Sequence, residues 1–205
     1  MTRRTFARTR SRTRCRRAFT LLEATVALML TTMAGSALLL SLTTATTTTD
    51  EAVRKYIGYG IGQTLLDEIT GMRYMELGAS PLDTGLAAGA DEQAGTGRSI
   101  YDDIDDYVNL SNQPPKDRNG QVLGNENGDT AARDPRFRVP AAIMNRWKVE
   151  ADTFYVNENA WLTPLADSQP RNFRTTRVRV SYVPVKGSTV LVSETARTFA
   201  YVPEP

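Results

Sequence analysis

The chain has 205 residues, room for one domain of ordinary size and an additional helix. Its formal net charge of +2 hides a segregation: residues 1–18 hold eight arginines and no acid, while the remainder sets 17 basic against 23 acidic side chains, a net −6. Such a body is no binder of nucleic acid or other polyanions. With no histidine, and with Cys15 of the basic arm as its one cysteine, the chain also lacks the commonest general base, the commonest metal ligand and any internal disulfide.

The basic arm directly precedes FTLLEATVALMLTTMAGSALLLSL, residues 19–42, which carry a single charge at Glu23. As a helix this run is roughly 36 Å long, enough for a hydrocarbon core of about 30 Å. It exceeds the ~7–15 apolar residues of a secretory signal. Arginines before a span hold the N-terminus in the cytoplasm and send the rest across. An acid in a span costs about 2.5–3.5 kcal/mol near the bilayer centre and less near its end. Glu23 therefore either stays wet at the interface or finds a partner.

Arg16-Arg17-Ala18-Phe19-Thr20-Leu21-Leu22-Glu23 resembles the processing motif of type IV prepilins and type II secretion pseudopilins. The shared pattern is a basic leader, a small residue, Phe, a short apolar stretch, Glu as fifth residue after the cut, and an apolar helix. Ala18 stands where that family usually has Gly. The resemblance implies cleavage between Ala18 and Phe19 by a prepilin peptidase and N-methylation of Phe19. It implies that Glu23 neutralises the terminal amine of a neighbouring subunit. Two unit charges ~4 Å apart attract by about 4 kcal/mol at an effective dielectric near 20, before desolvation. Head-to-tail contacts of this kind build helical filaments rather than closed rings. The implied partners are the peptidase, other pilin or pseudopilin subunits, the inner-membrane assembly platform and the membrane itself. The implied location is the inner membrane, single-pass, with an exported periplasmic head that later enters a filament.

Six threonines between Thr43 and Thr49 mark the exit from the apolar run. Beyond them, Val53, Ile57, Ile61, Leu65, Ile69 and Met72 recur every three or four residues, the stripe of a helix that covers a sheet. Gly58, Gly60 and Gly62 are expected to bend that helix or admit a close neighbour.

Residues 77–145 are rich in Gly, Asp, Asn and Pro, and read as an irregular acidic loop region. Asp102, Asp103, Asp105 and Asp106 lie in YDDIDDY; Asp117-Arg118-Asn119-Gly120 and Asn125-Glu126-Asn127-Gly128-Asp129 follow. Oxygen-rich clusters suit calcium, which takes six to eight such ligands, yet none matches the EF-hand loop. The competing reading is a solvated loop built on Asx turns. YDDIDDYVNLSNQPPKDRNGQVL is similar to the acidic region of minor pilins of the mannose-sensitive haemagglutinin type, which implies a minor rather than a major subunit.

From Arg146 the period becomes two. Trp147, Val149, Ala151 and Thr153 alternate with polar residues, as do Val178, Val180 and Tyr182; Val190 and Val192 open a third run, and Phe199 and Tyr201 end it or a fourth. Arg171, Arg174, Arg177 and Arg179 read as the wet face of a strand. The expected fold is α+β: a long N-terminal helix, membrane-spanning in its first half and amphipathic in its second, packed on a C-terminal antiparallel sheet as in pilins. The expected divisions are 1–18 (leader, removed), 19–46 (span), 47–76 (amphipathic helix), 77–145 (loop region) and 146–205 (sheet). No nucleophile-elbow or phosphate-loop pattern occurs, so the expected role is structural, not enzymatic. The alternative is a non-polymerising single-pass protein with a ligand- or calcium-binding head.

Overall fold

A computed structural model describes residues 20–93, 97–124, 134–166 and 168–202. The chain divides into two compact units, 1–49 and 50–205. Helix α1 (Leu21–Thr70) contributes residues to both.

In the first unit every described residue is exposed. Thr20 stands before the first turn, and its Oγ1 accepts the Glu23 N–H at 3.3 Å. Thr20-x-x-Glu23 is thus the spacing of a capping box, with Glu23 at the third helical position. The helix is then apolar all round, with Leu22, Val26, Met29, Leu30, Met33 and Leu38 open on successive faces. Among the described residues α1 alone is long and apolar enough to cross a membrane. The threonine tract does not break it. Thr44, Thr47, Thr48 and Thr49 each donate their hydroxyl to the carbonyl four residues back, at 2.8 to 3.1 Å. Thr43 and Thr46 donate three residues back at 2.9 Å.

The second unit, here called the head, packs residues 50–70 of α1 on a four-stranded antiparallel sheet of order β1-β2-β3-β4. The strands are β1 (Leu110–Asn112), β2 (Trp147–Tyr155), β3 (Phe173–Tyr182) and β4 (Val190–Ala200). Trp147, Val149 and Ala151 pair with Tyr182, Val180 and Val178, which fixes one apolar face. Ile61, Leu65, Leu66 and Ile69 cover it, so helix and sheet bury one core between them. The fold is therefore α+β, as expected.

The helical stripe holds from Ile61 to Ile69, whereas Val53 is 51% and Ile57 36% exposed. The three glycines do not interrupt α1. A Cβ on Gly58 would lie 2.7 Å from Val192 Cγ1 and 3.3 Å from the Trp147 ring, and one on Gly62 would lie 3.3 Å from Val180 Cγ2. A Cβ on Gly60 would meet nothing. Close approach, not bending, is what the first two supply. A register shift at Val180/Ser181 leaves Val192 outside the ladder.

The segment read as irregular contributes β1, an edge strand of only three residues. Two one-turn helices, α2 (Ala90–Gln93) and α3 (Ala141–Met144), also lie there. Asp117 forms the Asx turn its sequence suggests: its Oδ1 accepts the N–H of Asn119 and Gln121, and Gly120 closes the turn at φ +82°. Residues 125–129 lie outside the described residues. The run that opens at Val190 is one strand, not two, and it ends at Ala200, just before Tyr201.

Candidate functional sites

Ala18 and Phe19, the predicted cleavage and methylation positions, lie outside the described residues. Glu23 is described, exposed, and tied locally to the helix start through Thr20. It is the one charged residue between residues 21 and 49.

The acidic loop is a folded staple at the C-terminal end of α1. Its backbone joins the segment after the helix: Arg73 N–H donates to Asp102 O at 3.2 Å and Ile104 N–H to Arg73 O at 3.1 Å. The four aspartates then divide. Asp102 pairs with Arg73 at 2.7 Å. Asp103 Oδ1 accepts the Asp105 N–H at 2.9 Å and, more weakly, that of Asp106. Asp106 Oδ2 accepts the N–H groups of Asp102 and Asp103 at 2.9 and 3.1 Å. Asp105 faces Arg174 at 3.3 Å. Asp103 and Asp106 thus bind backbone within the loop, and the four carboxylates do not converge on one point. Glu92, Asp102 and Asp106 do converge, with oxygens within 4.8 Å of one another. Glu92 escaped the sequence reading because it sits outside the Asp-rich run. Three carboxylates offer three to six of the six to eight oxygens that calcium takes, and two of these groups already serve an arginine and two amides.

Arg174 departs most from expectation. It is 0% exposed rather than on a wet face. Its guanidinium donates to Tyr74 O at 2.7 Å, Tyr155 Oη at 3.0 Å and Pro81 O at 3.4 Å, besides Asp105. It also lies over the rings of Tyr74 and Tyr155, 4.6 and 5.1 Å from their centroids. Pairing of Arg174 with Tyr155 across β2 and β3 puts it on the core face. One cation therefore gathers the segments after α1, the acidic loop and two strands. Arg98 acts similarly: it grips Glu68 of α1 through two bonds of 2.9 and 2.8 Å, and Tyr107 Oη donates to the same carboxylate at 2.9 Å.

Burial sets the electrostatics. It pushes the Asp105 carboxyl up, and Asp103 adds to that against the opposing pull of Arg174. Arg174 spreads its donors over four acceptors, so we take the upward direction to prevail. Burial likewise raises Asp106, with Glu92 hydrogen-bonded beside it. Tyr74 is pushed up to about 12 by burial. Tyr107 is raised by burial and by Glu68. These arrangements tie the acidic loop and the segment after α1 to the helix and the sheet.

No protein-family model, no curated protein and no solved structure matches this chain.

Proposed function

We propose that the chain is a structural minor pilin-like subunit of an envelope-spanning filament, a type IV pilus or type II secretion pseudopilus. The observation that carries this reading is the charge pattern: eight arginines, then Ala18-Phe19, then an apolar helix whose one charge is Glu23. A helix laid on an antiparallel sheet, as in the head, is compatible with it. Cleavage after Ala18 detaches the arginines that hold the chain to the cytoplasmic face. The new amine of Phe19 then competes for the Glu23 carboxylate of a neighbour. The reaction belongs to the peptidase; the subunit contributes surface, charge and length.

Intact mass and N-terminal sequencing of the protein from its native host test this. The expected chain starts at N-methylated Phe19, and a full-length chain that keeps the arginine arm overturns the reading. Glu23→Ala is expected to leave cleavage intact and impair incorporation into the filament. Because Glu23 also occupies the third position of a capping box, Glu23→Gln is the sharper variant: it can keep the cap and removes the charge.

A second reading is favoured by the Glu92, Asp102 and Asp106 cluster: a non-polymerising membrane protein whose head binds calcium. It requires a calcium-dependent rise in melting temperature that Glu92→Gln abolishes.

A further inference from the structure

We propose that the end of the head at which residue 50 enters it is a docking surface for anionic phospholipid headgroups. The proposal rests on the membrane-spanning reading of α1 and adds a second, charge-dependent contact between the head and the bilayer.

As a helix, residues 21–49 are about 43 Å long, the thickness of a bilayer with its headgroup layers at ~40–45 Å. The head therefore starts where such a helix leaves the lipid. Strand β4 starts at the same end of the head. A Cβ on Gly58 would meet Val192, one on Gly62 would lie near Ser193 and Thr195, and Arg197 donates to Thr70 at 3.3 Å. Strand and helix thus run side by side in one direction. The β3–β4 turn, residues 183–189, lies just before Val190 at the residue-50 end.

The surface there is both apolar and cationic. Val185 in the turn is 75% exposed, and Val190 and Leu191 at the start of β4 are 54% and 53% exposed. Arg54, Lys55, Arg146 and Lys186 stand exposed at this end, against Asp50 and Glu51. Arg54 lies 5.0 Å from the centroid of the Tyr182 ring, and Arg146 donates to the Tyr182 hydroxyl at 3.3 Å. Among the described residues none of these four cations pairs with a carboxylate, whereas Arg73, Arg98 and Arg174 at the other end each hold one. Residues 19–205 carry a net −6, so a cationic end runs against the average. An open groove of about 320 Å³ separates Glu51, Arg54 and Lys55 of α1 from Val190, Leu191 and Val192 of β4. One wall offers charge and the other hydrocarbon. A phosphate seats against the cations while glycerol and acyl carbons follow the apolar wall. An aqueous polyanion would leave that wall wet; a phospholipid uses both.

The test uses the whole chain in nanodiscs loaded with a single copy each, with Cys15→Ser so that a nitroxide can be placed at one new cysteine. One sample carries the label at Val185→Cys and another at Leu30→Cys. Paramagnetic resonance power saturation compares collisions with oxygen, which concentrates in lipid, and with a water-soluble nickel chelate. The discs are phosphatidylcholine alone or phosphatidylcholine mixed with phosphatidylglycerol. The Leu30 label is expected to be lipid-exposed in both. The Val185 label is expected to pass from water to the interface only in the anionic discs. It should return to water in about 1 M salt, where the screening length is roughly 3 Å. Lys55→Gln combined with Lys186→Gln is expected to lower the ratio of docked to free label roughly 30-fold, about fivefold for each cation. Both side chains are exposed and unpaired, so the fold tolerates the change, which near-ultraviolet circular dichroism of the aromatic core verifies. A Val185 label that stays in water in the anionic discs overturns the proposal, as does docking that is equal in the neutral discs or indifferent to the double variant. Shielding that appears only with two copies per disc assigns the surface to a second copy and overturns it too. A Leu30 label in water overturns the spanning reading itself, a failure distinct from a wet Val185 label on a chain whose Leu30 is held in lipid.

Discussion

Gly58 and Gly60 lie on one helix, two residues apart, and replacement of each by Ala should move stability in opposite directions. Both substitutions reduce the freedom of the unfolded chain and favour the helix, by about 0.5–1 kcal/mol. At Gly60 that is the whole effect, because a Cβ there meets nothing within 4 Å. At Gly58 the Cβ would sit 2.7 Å from Val192 Cγ1 and 3.2 Å from its Cβ, with the Trp147 ring behind. Overpacking of a formed core costs about 1–3 kcal/mol. The net is a loss of roughly 0–2.5 kcal/mol, against a gain of about 0.5–1 at Gly60. At roughly 2–4 °C per kcal/mol for a unit of this size, Gly60→Ala should melt about 1–4 °C higher and Gly58→Ala at or below the parent. Gly62→Ala, with its nearest atom at 3.3 Å, should fall between them. Thermal unfolding of the four proteins, followed by the near-ultraviolet signal of the aromatic core, provides the comparison. A Gly58→Ala protein as stabilised as Gly60→Ala would refute the close approach of α1 to β4.

Arg174→Met should destabilise the head by about 1–3 kcal/mol or more in a denaturant titration, since it leaves the buried acceptors Tyr74 O and Tyr155 Oη unpaired. A loss below 1 kcal/mol would refute the buried hub. The carboxyls of Asp105 and Asp106 are raised in the fold, so their contribution is full below the ordinary carboxylate range and lost as pH climbs through about 8. The melting temperature should therefore fall from mildly acidic to mildly alkaline pH, and Asp105→Asn should flatten that slope. Thr153 donates to Ile104 O at 2.9 Å and shares a 2.8 Å bond with Thr176. Thr153→Val leaves two groups unpaired and should cost about 1–3 kcal/mol, more than Thr176→Val by equilibrium unfolding.

Where periodicity carries information, the sequence was readable. Trp147, Val149 and Ala151 announce β2, and Val178 and Val180 announce β3, because alternate positions face one core. The helical stripe was legible from Ile61 to Ile69, where the sheet lies beneath it. Strand β1 was not, because three residues are too few to display a period. Arg174 was misread for a different reason. Its alternation with Thr175 says which face it occupies, but its partners Tyr74, Pro81 and Asp105 come from segments 69 to 100 residues away. Likewise, nothing in YDDIDDY tells that Asp103 and Asp106 face backbone amides while Asp102 pairs with Arg73. Side-chain networks of this kind have no local signature.

The threonine tract ends α1's apolar stretch in an unusual manner. Its hydroxyls already donate to the helix's own carbonyls, so they bring no unspent donors to their surroundings. A tract of this kind exchanges few bonds when it passes between hydrocarbon and water. On the membrane-spanning reading it acts as a sliding bearing rather than a stop. The first residues to resist entry are Asp50 and Glu51, and the depth at which the helix rests is set by their charge rather than by the threonines before them.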